Sequence, residues 1–123
     1  MPGPSGPGQQ PPVPLYGEVG AFNLLTTTPY TVTQQDRYIY VDATGGAATV
    51  TLPLAASFPA GFRVGIKKKD SGGNAVTVAR SGSDTFDGAT SISLAAQFNS
   101  CVLICDGISQ WIRGSNAVAT GGF

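Results

Sequence analysis

The segment DRYIYVDATGGAATVTLPL, Asp36 to Leu54, restricts the fold more than any other part of the chain. Tyr38, Tyr40 and Asp42 alternate with Ile39 and Val41, and Ala48, Val50 and Leu52 alternate with Thr49 and Thr51. Alternation with a period of two, in β-branched and aromatic residues, puts successive side chains on opposite faces of a strand. The two runs are separated by Asp42-Ala43-Thr44-Gly45-Gly46-Ala47, so the segment predicts a β-hairpin with a glycine turn.

The same pattern continues downstream. Phe62, Val64 and Ile66 share one strand face, with Arg63, Gly65 and Lys67 on the other. Val76 and Val78 alternate with Thr77 and Ala79, and Ile92 and Leu94 are expected inward of Ser91 and Ser93. Cys101-Val102-Leu103-Ile104-Cys105 is continuously apolar, which predicts a strand buried on both sides. Asp106-Gly107 is a turn signal before the strand carrying Trp111 and Ile112. Upstream, Leu25, Tyr30 and Val32 are expected to face the core, with Pro29 at a strand edge or break. Leu54 to Gly61 is a loop with room for one helical turn.

Charged residues are only 11% of the chain, while glycine (17) and proline (9) are abundant. That balance favours an all-β domain with many turns, predicted as a small antiparallel β-sandwich or barrel. A weak internal echo relates Thr44 to Leu52 plus FRVGI to Asp87 to Leu94 plus CVLIC. Two copies fall short of the three that a solenoid needs, and two packed halves account for them. Residues 1–14, MPGPSGPGQQPPVP, read as a Pro/Gly-rich leader or an extended arm that binds a neighbour. Residues 15–115 are expected to form the β-structured module and residues 116–123 a C-terminal tail.

Several function classes are disfavoured. Seven basic residues offset seven acidic ones, so no general attraction to nucleic acid or to an anionic membrane is expected. Histidine is absent, which removes the commonest general base and imidazole ligand, and no cofactor is expected. Cys101 and Cys105 would lie roughly 13 Å apart along a strand, against the ~4.4–6.8 Å a disulfide spans, and are expected as buried thiols. No signal-peptide pattern or long apolar run is present, so membrane insertion is not expected.

The acidic residues cluster at turns, where aspartate bonds nearby backbone. Asp84-x-x-Asp87 is the closest pair, with turn structure preferred over calcium binding or catalysis. Lys67, Lys68 and Lys69 read as a solvated strand edge, or as a contact to a polyanion or glycan. Tyr38, Tyr40 and Trp111 are candidate contacts to a glycan or protein partner, set against core or interface packing.

Three stretches, YTVTQQDRYIYVDATGGAATVTLP, GFRVGIKKKDSGGNAVTV, and DTFDGATSISL with CVLICDGISQWI, carry a family resemblance. Over Tyr30 to Ile112 the chain resembles a small β-structured module of tailed-bacteriophage virion proteins, found in tail fibres, tail spikes, necks and head fibres. The resemblance rests on Thr49-Val50-Thr51-Leu52-Pro53, Gly88-Ala89-Thr90 and Asp106-Gly107 followed by Trp111. It implies a noncatalytic virion structural protein, exposed on capsid or tail and frequently homotrimeric. No extended shaft or large receptor-binding domain is recognisable, and Met1 runs directly into the leader. A head-fibre or capsid-decoration protein is therefore expected, with its N-terminal region attached to the capsid or another virion protein. The runner-up is a carbohydrate-binding tail-fibre domain that engages a host-surface glycan. A glycoside hydrolase is a distant third. Exposed strand edges and the apolar CVLIC run independently favour oligomerisation.

Overall fold

The computed structural model describes residues 22–114 and 119–120. They form an all-β domain of two mixed sheets. The strands, in chain order, are β1 (Phe22–Leu25), β2 (Tyr30–Thr31), β3 (Tyr38–Val41), β4 (Ala48–Thr51), β5 (Arg63–Lys68), β6 (Val76–Ala79), β7 (Ser91–Leu94), β8 (Asn99–Cys105), β9 (Trp111–Arg113) and β10 (Ala119–Thr120). A large sheet runs β1-β3-β5-β8, with β9 and β10 both paired to β8, and a small sheet runs β2-β4-β6-β7. The single turn of helix expected in the 54–61 loop is a 3-10 turn at Ala55–Ser57.

The hairpin expected across Asp36 to Leu54 does not form, because β3 and β4 belong to different sheets. Three times the chain lays a strand in the large sheet, turns a corner, and lays the next in the small sheet. The copies stack in parallel, β1 on β3 on β5 and β2 on β4 on β6. Antiparallel pairing enters only with β7 against β6, β8 against β5, and β9 and β10 against β8. The wholly antiparallel arrangement is thus corrected to a mixed one. Two echo copies fall short of the three that a solenoid needs, yet solenoid-like coiling is present as three stacked turns. The echo itself is visible: both of its copies step from the small sheet (β4, β7) to the large one (β5, β8).

Corner chemistry explains the difference. Asp42 accepts from the Thr44 backbone N–H at 3.0 Å and from its hydroxyl, and Gly46 N–H donates to Ala43 O at 3.1 Å. These local bonds turn the chain toward the second layer before an opposing strand can pair. The following corner then locks on: Asp70 Oδ1 accepts from Ala43 N–H at 2.8 Å, and Asn74 Nδ2 donates to Ala43 O at 2.8 Å. Lys69 N–H to Val41 O, at 2.7 Å, extends the parallel ladder into that corner.

Inward rows from both sheets meet in one core. Ile39, Val41, Val50, Leu52, Val64, Ile66, Val76, Val78, Leu94 and Leu103 are fully enclosed. Burying such a side chain contributes about 1.5–3 kcal/mol each before conformational entropy is charged against it. Leu25, Val32 and Ile92 join them as expected, and Tyr30 packs at the margin.

The Asp106-Gly107 turn forms as expected. Asp106 Oδ1 accepts from the N–H groups of Ile108, Ser109 and Gln110 at 2.8, 3.0 and 3.0 Å. Gly107 has φ +77°, and a Cβ there would stand 3.2 Å from Ala60 N and Cβ. Gly107→Ala combines left-handed strain with that close approach, so a loss of about 1–3 kcal/mol is expected in denaturant unfolding.

The leader, residues 1–14, lies outside the described residues. Within the segment expected as a tail, Ala119–Thr120 pair with Ser100 and Asn99 of β8.

Candidate functional site

The two sheets present different outer faces. On the small sheet, Thr31, Thr51, Ala79 and Ser91 lie in one register row and Thr49, Thr77 and Ser93 in the next. This face is a field of hydroxyls suited to water. On the large sheet, the outward rows are Phe22, Tyr38, Gly65 and Val102, then Leu24, Tyr40 and Lys67, then Arg63, Ile104 and Ile112. Phe22 is 56% exposed, Leu24 48%, Tyr38 42% and Ile112 41%. The Phe22 and Tyr40 rings stand 6.2 Å apart, joining β1 to β3 across the surface.

A groove of about 450 Å³ crosses the large sheet between these apolar flanks. Its floor is Gly65, whose register neighbours Tyr38 and Val102 form the walls. Arg37 and Arg63 stand at the end where β3 and β5 begin. Arg37 Nη1 donates to Gln34 O at 3.0 Å and Asp36 O at 2.9 Å, and its guanidinium lies 4.8 Å over the Phe62 ring. A smaller cavity of about 260 Å³ lies beside the first two corners, lined by Thr28, Asp42 and Gly45 among others.

Sequence-predicted contact residues divide sharply. Tyr38 and Tyr40 do share the outer face of the large sheet, as their alternation requires. Trp111 does not join them. It is fully buried, donates from Nε1 to Pro53 O at 3.0 Å, and packs edge-on against Phe58 and Phe62 at 5.5 and 6.1 Å. Its place is the core, which removes it as a surface contact. The lysine run also needs correction, since β5 is an internal strand between β3 and β8. Lys68 is completely buried on the row of Val64 and Ile66, while Lys67 and Lys69 are half-buried. Lys67 Nζ lies 5.9 Å over the Phe98 ring.

Lys68 survives burial because Asp70 meets it. The Nζ–Oδ2 distance is 2.8 Å, and Nζ also donates to Asp70 O at 3.0 Å. The Lys68 hydrogen bond, aided by the backbone N–H groups of Ala43 and Gly72, holds the Asp70 carboxyl down at about 2. CVLIC is buried on one side only: Cys101, Leu103 and Cys105 point inward while Val102 and Ile104 are half-exposed. Both cysteines are free thiols, and burial pushes both upward, Cys101 to about 12.

Every carboxylate among the described residues accepts from a nearby backbone N–H. Asp36 takes Thr33, Asp42 takes Thr44, Asp70 takes Ala43 and Gly72, and Asp106 takes its own loop. Asp84 Oδ2 accepts from Ala55 at 2.7 Å and Asp87 Oδ2 from Arg113 at 3.3 Å. The Asp84-x-x-Asp87 pair is therefore committed to two different elements, Asp84 to the 3-10 turn and Asp87 to β9. No cluster of three or more metal-ligating side chains occurs among the described residues.

No protein-family model matches the chain, and no curated protein matches it in sequence.

Arg37, Arg63 and Gly65 were not singled out from sequence. The available signal was a glycine between Val64 and Ile66 inside a strand, a position that often marks close approach of another group.

Proposed function

We propose that this chain is a noncatalytic structural protein of a tailed-bacteriophage particle, a head-fibre or capsid-decoration module that assembles as a homotrimer. The observation that carries this reading is the contrast between the two outer faces. A sheet face meant for water has the Thr/Ser character of the small sheet, whereas the large sheet exposes Phe22, Leu24 and Ile112 at its two flanks. Phe22 and Leu24 sit on the edge strand β1, and Ile112 sits on β9 at the opposite flank. Two different sticky flanks suit a head-to-tail contact, which closes into a ring when the rotation between copies permits. The commitment of each described carboxylate to backbone donors supports a role without chemistry. The resemblance to phage virion modules supports exposure on capsid or tail, with the N-terminal region as the attachment to the particle.

Sedimentation of the full chain at micromolar concentration is expected to give a trimer, and a monomer would overturn the assembly. Electron microscopy of particles carrying the chain is expected to show protrusions with local threefold symmetry. Absence of the chain from purified particles would remove the virion assignment.

A further inference from the structure

We infer that the groove over Gly65 is a binding site for an acidic saccharide, with a carboxylate at Arg63 and Arg37 and a pyranose face against Tyr38. This goes beyond the structural role and does not depend on the trimer, because the groove lies between the two flanks assigned to assembly.

Four features point to this ligand class. First, the side chain is missing where it would fill the site: Tyr38, Gly65 and Val102 are register neighbours, and two strand spacings leave a slot about 10 Å across. Second, two guanidiniums line one end, and among the described residues neither Arg37 nor Arg63 has a carboxylate partner. Third, Arg37 is held before any ligand arrives, by two backbone carbonyls on Nη1 and by the Phe62 ring. Those bonds leave its Nε and Nη2 donors for a carboxylate, and an immobilised guanidinium loses little entropy on binding. Fourth, Tyr38 lines the slot and is 42% exposed, and its ring offers an apolar wall that a sugar face can cover.

A peptide fits less well. The strands under the groove, β3, β5 and β8, are each paired on both sides, so their backbone groups are already used in the ladder. Recognition there has to come from side-chain donors and ring faces, which a charged sugar satisfies and an extended peptide does not.

The test is calorimetric titration of the full chain with trigalacturonate and with a mannuronate trimer. Neutral galactotriose and a triglutamate peptide serve as comparison probes. Saturable binding of at least one uronate trimer is expected, weakening as salt rises. Arg63 is exposed, so Arg63→Gln should leave thermal unfolding unchanged and weaken that binding at least tenfold. Tyr38→Ala should weaken it with folding likewise intact. Failure of both uronates to bind, equal binding of galactotriose, or full binding by Arg63→Gln would overturn the inference. Tighter binding of triglutamate would overturn it in favour of an acidic protein partner. A trimer that binds no uronate leaves the structural role standing, and a monomer that binds it leaves the site standing.

Discussion

Trp111→Ala is expected to lower stability by about 3–5 kcal/mol, enough to threaten folding of a domain whose whole stability is of order 5–15 kcal/mol. The indole is fully enclosed and forms a three-ring cluster with Phe58 and Phe62, themselves 4.8 Å apart and edge-to-face. Removing it opens a cavity between β9 and the 3-10 turn and strands Pro53 O, which loses the Nε1 donor. Trp111→Phe keeps most of the ring volume but still loses that bond, so a smaller cost of about 1–3 kcal/mol is expected. Urea unfolding of both variants, followed by circular dichroism, measures the difference. Near-wild-type stability of Trp111→Ala would mean that the cluster is loosely packed and Trp111 is free for a surface role after all.

The second large effect concerns the ion pair at the end of β5. Asp70→Ala should cost about 3–5 kcal/mol, because it leaves the Lys68 ammonium fully buried without its counter-ion. Lys68→Met should cost far less, within about 1.5 kcal/mol. A thioether replaces a charge among Val64 and Ile66, and Asp70, itself 9% exposed, keeps the N–H donors of Ala43 and Gly72. The asymmetry is the signature of a charge that is tolerated only because it is paired.

The same pair predicts a pH dependence. Asp70 titrates at about 2 in the folded protein against an ordinary value of 3.8. A depressed carboxylate contributes stability that is fully present above the unfolded value and is lost as pH falls through the folded one. Wild-type stability should therefore decline between about pH 4 and 2, and the decline should be shallower in Lys68→Met. Equal slopes in the two proteins would show that the pair does not hold the carboxyl down.

These expectations also mark what the sequence could and could not disclose. Facing is local: Val64 and Ile66, Ile92 and Leu94, and Tyr38 and Tyr40 fall where a period of two puts them. Lys68 obeys that period too, on the row of Val64 and Ile66, and only its charge argued for water. The partner that reverses the argument, Asp70, stands two residues away and becomes informative only once β5 is known to be internal. Pairing is not local. Alternation says which way Ile39 points, and nothing in it says that the neighbour is Ile66 in parallel and not a residue of β4.

The three stacked turns were hidden because their large-sheet strands begin at Phe22, Tyr38 and Arg63, with no fixed repeat length. Corner bonds from Asp70 and Asn74 to Ala43 set that stacking, and they join residues far apart in sequence. For the candidate groove, the glycine was visible and the convergence of Arg37 with Arg63 was not. That convergence requires β3 and β5 to lie side by side.

In the proposed assembly the two flanks of the large sheet hold copies of this chain together. Sedimentation equilibrium of Leu24→Asp and Ile112→Asp tests it most directly, with Thr77→Asp on the hydroxyl face of the small sheet as control. Each flank variant is predicted to fall to monomers with its circular dichroism unchanged, while Thr77→Asp remains trimeric. Trimers that persist in both flank variants, or dissociate only in Thr77→Asp, would contradict the account.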